Sequence, residues 1–338
     1  MTAKRIVGVS PWSNPNYDLM KEAGIEWLRL GLGFPYKDRI GGEFTGRFTG
    51  QLEKVREAAR LGFRIMGISP GAGVMAWREE DGRRAWRPGI PEWAGTPADD
   101  RYYETCEQAC AEIGRLTAGL VEMWQVSNEM DIETFRGPLT PEQAARFMFA
   151  EARGLKQGNP QAQTGINLAH LDGGRWLYQQ LYNRPDSPFD YAGIDGYFGS
   201  WQPGGPGDWI PVIEEIQQLT GRPVLVNEWG YSSLGGRPAE SWPEGVSGAV
   251  CKARNWRNAW KGEHTPAVQA EYTRVGLKIF ATYPGVLGSF FYNWGDDAVC
   301  YHCGQADCPA ECGWGLIDSE GKPKPAYYAL KETVRAYY

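Results

Sequence analysis

Apolar and polar positions alternate along this chain in a regular long-range pattern. Short apolar runs recur at 6–10, 26–33, 63–69, 121–127, 164–168, 191–197, 223–227 and 286–294. Each is near-continuous in apolar character, as expected of a strand buried on both faces. Helical periodicity fills the intervals at 17–23, 51–61, 99–117, 141–156, 174–182, 208–219 and 267–282, with a closing stretch at 326–337. Thr140-Pro141-Glu142-Gln143 reads as a helix start, with Thr at the cap, Pro at the first helical position and Gln three after the cap. Gly24, Gly62 and Gly221 follow helical runs, where a left-handed residue ends a helix. Strands alternating with helices predict a parallel sheet, and eight such units predict one closed (β/α)8 barrel spanning residues 1–338. The architectural rival is a doubly wound open sheet. No Gly-x-Gly-x-x-Gly follows the first run, so its nucleotide-binding form has no support.

Three long segments break the rhythm, at 70–96, 231–265 and 295–322. All follow strands rather than helices, which places them on the catalytic face of a barrel. Two of the apolar runs end in the same dipeptide. The fourth ends in Asn128-Glu129 and the seventh in Asn227-Glu228, the two Glu being 99 residues apart (228 − 129). The fourth and seventh strands of a barrel face each other across its mouth, so Glu129 and Glu228 are expected in one cavity. Two carboxyl groups so placed suit acid/base and nucleophilic chemistry at a glycosidic bond.

Composition narrows the partner. The net charge of −6 argues against nucleic acid, which wants clustered Lys and Arg. No apolar run reaches the length of a membrane span. The first run, behind Lys4 and Arg5, is too short for a secretory signal and reads as a strand. That fits a cytoplasmic protein if the chain is whole, or a secreted one if a leader preceded it. Aromatics stand out, with 15 Trp and 17 Tyr. Eleven of the Trp (12, 77, 86, 93, 201, 229, 242, 256, 260, 294 and 314) fall at or beyond the C-terminal ends of strands. This suggests platforms for the flat C–H faces of sugar rings, with about half bracing loops instead. A carbohydrate is the expected partner. The sequence carries no signal for oligomeric state.

With these residues in place, the chain resembles the clan A glycoside hydrolases, retaining (β/α)8 enzymes that include families 5, 39 and 53. The resemblance implies that Glu129 is the acid/base and that Glu228, in Glu228-Trp229-Gly230, is the nucleophile. It implies that Arg29 and Tyr197 bond the nucleophile, that Asn128 meets the sugar 2-hydroxyl, and that Trp294 lies under the sugar. Trp201, Trp229 and His170 join them as candidate substrate contacts. One departure stands at Asp195, where the family 5 pattern often has His. A transglycosylase would share every one of these residues. A carbohydrate-binding barrel without activity would need neither carboxylate.

No cofactor is expected for catalysis, and three His in the chain are too few for a multi-His metal site. Cys300, Cys303, Cys308 and Cys312 are spaced C-x2-C-x4-C-x3-C. That spacing resembles a compact structural zinc loop, with two short disulfides or free thiols as rivals. Zinc fits an intracellular protein and disulfides a secreted one. Cys106 and Cys110, one helical turn apart, read as buried apolar residues, and Cys251 has no assignment.

Overall fold

The computed structural model describes residues 4–77, 84–244 and 248–338. The Trp77 side chain lies outside the described residues, as do parts of the segments 70–96 and 231–265. Eight parallel strands form the barrel: β1 (Ile6–Val9), β2 (Trp27–Gly31), β3 (Arg64–Ile68), β4 (Val121–Gln125), β5 (Gln163–Gly165), β6 (Ala192–Gly196), β7 (Val224–Trp229) and β8 (Val286–Phe291). Around it run α1 (Tyr17–Glu22), α2 (Gly46–Arg60), α3 (Asp100–Leu116), α4 (Pro141–Gly158), α5 (Leu171–Tyr182), α6 (Trp209–Thr220), α7 (Pro266–Thr282) and α8 (Pro325–Tyr337). Sequence-neighbouring strands pair in parallel from β1 to β5 and from β6 to β8, and β8 pairs with β1. Between β5 and β6 closure rests on single backbone bonds, Asp190 N to Thr164 O (2.7 Å) and Asp195 N to Leu168 O (2.9 Å). This is the (β/α)8 barrel that the repeat predicts.

Helix boundaries follow local chemistry. At α4, Thr140 and Gln143 form the reciprocal capping box. Helix α2 starts at Gly46 rather than near 51, because Thr45 Oγ1 accepts the Phe48 amide at 3.1 Å. Gly24, Gly62 and Gly221 have φ of 81°, 86° and 64°, the left-handed terminators expected. A hairpin of Gly73–Trp77 against Arg84–Pro88 occupies the segment read as loop after β3, pairing Met75 with Trp86. Short helices at Glu133–Arg136 and Ala249–Ala253 were not legible either. Each has fewer than six residues, too few for periodicity to register.

The barrel interior is layered. Its floor is an apolar plug of Ile6, Trp27, Met66, Met123, Tyr191, Leu225 and Phe290. A larger apolar shell fills the space between the strands and the helices. Above the plug come buried polar side chains, Ser10, Arg29, Gln125, Asn167, Asp195 and Asn227. The carboxylates cap this polar layer at the mouth. Among the described residues no helix is long and apolar enough to cross a membrane.

Candidate active site

Local backbone irregularity aims the two Glu. Pairing on β7 slips by one residue against both neighbours: Val226 faces Ile194 and Ser289, whereas Glu228 faces Asp195 and Trp229 faces Phe291. This bulge lets consecutive Asn227 and Glu228 both reach the barrel interior, which strict strand alternation forbids. After β4, Ser127 (φ 60°) and Glu129 (φ 43°) adopt left-handed conformations. Non-glycine residues pay steric strain there, and such strain concentrates where surrounding bonds enforce it. Here the Ser127 amide donates to Ser69 Oγ (2.8 Å) and Ser127 Oγ donates to Glu151 Oε2 (2.7 Å). The Glu129 amide donates to Asn167 Oδ1 (3.2 Å).

Glu228 is held from two sides. Arg29, fully buried, pairs with its Oε1 at 2.6 Å, and Tyr197 donates its hydroxyl to Oε2 at 2.5 Å. Arg29 also donates to Gln125 (2.8 Å), Asn128 (2.9 Å) and Ser10 (3.3 Å), so its fork geometry is fixed. Asn128 Oδ1 takes three donors, from Arg29, Gln125 (3.0 Å) and Asn167 (3.0 Å). Its amide orientation is thereby settled, and Nδ2 stays available as a donor to a ligand.

Glu129 is placed differently. Burial pushes its pKa well above the ordinary carboxylate range, helped by the charges of Glu228 and Asp131 and opposed by Arg29. Asp195 is raised as well, first by burial and then by Glu228 and Glu129. Asn167 Nδ2 anchors Asp195 Oδ2 at 2.5 Å, while the buried Oδ1 has no hydrogen-bond partner.

These groups open into a cavity of about 500 Å³. Glu129, Asp195, Tyr197 and Glu228 form its base, with Tyr292, Trp314, Trp201, Met75, Trp86, His170, Tyr301, His302 and Glu311 around them. Trp86 packs edge-on against Phe135 at 4.5 Å, and Tyr197 against Trp314 at 5.0 Å. Asp131 accepts the Ala169 (3.0 Å) and His170 (2.8 Å) amides, tying the loop after β4 to that after β5. Glu311 is buried beside His302 (3.2 Å), and burial raises its pKa.

The structure therefore gathers Glu129, Glu228, Arg29, Asn128, Tyr197, His170 and Trp201 at one mouth. Trp229 and Trp294 are corrections. Trp229 is 0% exposed and faces outward from β7, packed on Phe280 and Phe291 in the space that Gly276 of α7 leaves open. The bulge explains this: it turns Glu228 inward and the next residue outward. Trp294 is also 0% exposed, its ring against Tyr327 of α8 and its Nε1 donating to Asn14 O at 3.2 Å. Tyr292, two residues earlier and joined to Asn293 by a cis peptide, lines the cavity instead. Asp195, Trp314 and Glu311 were not singled out as site residues. A carboxylate inside the apolar run 191–197 was the readable signal for Asp195, whereas Trp314 and Glu311 sit in an irregular segment. The cysteine set is also corrected: Cys251 joins Cys300, Cys303 and Cys308, while the Cys312 thiol turns to Gln305 O at 3.6 Å.

No protein-family model matches the sequence, and no curated protein matches it. Solved structures share its fold. A family 39 glycoside hydrolase from Bacteroides cellulosilyticus WH2 superimposes with TM-score 0.63 at 16% identity, covering 98% of this chain and 64% of its own. A glucosidase from Croceicoccus marinus gives 0.63 at 14%, covering 98% and 67%. A β-glucuronidase from Bacteroides uniformis gives 0.59 at 15%, covering 97% and 34%. The chain thus spans from about a third to two-thirds of these proteins' lengths. At such identities the likeness is one of fold.

Proposed function

We propose that this chain is a retaining β-glycoside hydrolase acting on β-linked oligo- or polysaccharide. The observation that carries the reading is the unequal treatment of two carboxyl groups in one cavity. Glu228 stands in an ion pair with Arg29, while burial and neighbouring negative charge favour the protonated form of Glu129. Separated protonation states are what acid and nucleophile require.

Glu228 attacks the anomeric carbon as the glycosidic C–O bond breaks, and the Glu129 proton goes to the departing oxygen. The sugar is left as an ester of Glu228. Glu129, now ionised, takes a proton from water, whose oxygen attacks the anomeric carbon and releases Glu228. Tyr197 and Arg29 orient the nucleophile. Asn128 Nδ2 is the donor for the 2-hydroxyl, a bond that strengthens as positive charge develops on the ring. A barrel that only bound sugar would need neither the Arg29 pair nor the proton on Glu129.

The lining also favours an uncharged sugar. Among the described residues around the cavity none is Lys or Arg, whereas Glu129, Asp195, Glu228 and Glu311 are acidic. A uronate carboxylate calls for a cationic partner there. The test is hydrolysis of aryl β-glycosides, with the first-formed anomer followed by NMR and with a slow 2-fluoro glycoside used to trap the ester. Retention and a sugar adduct on Glu228 are expected, with aryl glucoside turned over faster than aryl glucuronide. An inverted product, or full activity in Glu228→Ala, defeats the mechanism. Preference for the glucuronide defeats only the uncharged-sugar reading.

A further inference from the structure

We propose that Cys251, Cys300, Cys303 and Cys308 bind one structural zinc ion that clamps the loop after β7 to the loop after β8. All four sulfurs lie within 4.8 Å of one another. The Cys251–Cys300 and Cys251–Cys308 separations are 3.8 and 3.6 Å. Four thiolates at the usual Zn–S distance of about 2.3 Å on a tetrahedron stand ~3.8 Å apart. A disulfide needs sulfurs about 2.05 Å apart, and all seven cysteines are unpaired. Free thiols alone give no reason for four to converge from two loops 49 residues apart.

Gly304 makes the turn between Cys300 and Cys308, with φ of 72° and its amide on Cys300 O at 2.7 Å. An ion pair between Arg254 and Asp307 joins the same two loops. The set is all sulfur and closed, with no position for a reacting water, so its role is structural.

The clamp has a clear beneficiary. Residues between and just beyond these cysteines, Tyr301, His302, Glu311 and Trp314, form one wall of the cavity. Cys300 and Cys308 pack in the same apolar cluster as Trp314. Zinc would therefore set the shape of the substrate wall without touching the reaction.

The test is metal analysis of protein purified from zinc-supplemented medium, wild type beside Cys251→Ser and Cys312→Ser. The wild type is expected to hold about one zinc per chain, Cys312→Ser to keep it, and Cys251→Ser to lose it. Cobalt exchanged into the wild type should show the sulfur-to-metal charge-transfer absorption of tetrahedral thiolate. Chelation should lower the thermal midpoint of the wild type and leave that of Cys251→Ser unmoved. Iron in place of zinc, cysteines paired as disulfides by intact mass, or zinc lost from Cys312→Ser but retained by Cys251→Ser overturns the proposal. Should Cys251→Ser not fold, the wild-type metal content and Cys312→Ser still decide it.

Discussion

Replacing Glu151 with Gln should stabilise the protein at neutral pH, although it removes a side chain that braces the turn carrying Glu129. Glu151 lies on α4 with no exposed surface. Its Oε2 accepts from Ser69 Oγ (2.9 Å) and Ser127 Oγ (2.7 Å), and its Oε1 lies 3.6 Å from Cys110 Sγ. No cation is among these partners. Burial therefore dominates and raises its pKa to about 8, the three hydrogen bonds only partly opposing it. The same group in the unfolded chain titrates near about 4.3. Between those values the unfolded chain has lost the proton and the folded chain keeps it. Stability therefore falls as pH rises, by ~1.4 kcal/mol per pH unit. The contribution is complete below the unfolded pKa and gone once pH passes the folded one. By pH 7 the loss amounts to roughly 3 to 4 kcal/mol. Gln has the shape of the neutral acid: its oxygen can accept from both serines and its amide can face Cys110. The two proteins should match near the unfolded pKa and diverge upward from it, Glu151→Gln leading by roughly 3 kcal/mol at pH 7. Urea unfolding across this range measures the difference curve, in which titrations common to both proteins cancel. Parallel curves, or a less stable variant at neutral pH, would show that folded Glu151 is ionised and would refute the reasoning.

The remaining predictions concern the site and its surroundings. Tyr197→Phe removes one charge-assisted hydrogen bond to Glu228 worth about 1.5–3 kcal/mol, so kcat should fall about 10- to 100-fold with KM little changed; an unaltered kcat would remove Tyr197 from the machinery. Trp229→Ala should cost about 3–5 kcal/mol of stability and leave the kinetics of the folded fraction intact, because the ring fills core space behind the strand; a selective rise in KM on urea-stable protein would restore its sugar-binding role. Glu228→Gln removes a negative charge that helps raise Glu129, so the Glu129 carboxyl should titrate at lower pH by carbon-13 NMR; an unmoved titration means that the two groups do not sense each other. Trp201→Ala, at a half-exposed rim position (50%), should raise KM for long substrates and spare small aryl glycosides; equal effects on both would place Trp201 against the reacting sugar.

Much of this was legible in advance because the signals are local. Continuous apolar runs of strand length, each followed by an amphipathic helix, have few solutions other than a closed parallel barrel. Arg29 inside an apolar run could only be a buried charge awaiting a partner, and Glu228 is that partner. Asn227, which repeats the Asn-Glu pattern without a matching role, proves to bond Gln125 in the polar layer at 3.0 Å. Trp position along the chain was a weaker guide. Strand ends supply both faces of the wall, so Trp201 and Trp314 meet the cavity while Trp229 and Trp294 pack behind it.

Sequence alone determined the eight-unit repeat, the helix ends marked by Thr140, Gly24, Gly62 and Gly221, and the meeting of Glu129 with Glu228 at one cavity, because periodicity and capping are read within a few residues. Tertiary structure alone decided which side chain faces which way at the strand ends. A one-residue bulge on β7 and two left-handed residues after β4 overrule alternation there, and both are held by contacts from distant parts of the chain. It also decided which cysteines meet. Cys251 reaches the loop after β8 from the loop after β7, while Cys312, nearer in sequence, is turned away. Spacing reports only what the chain can join locally, and the convergence of two long loops is set by the barrel that carries them.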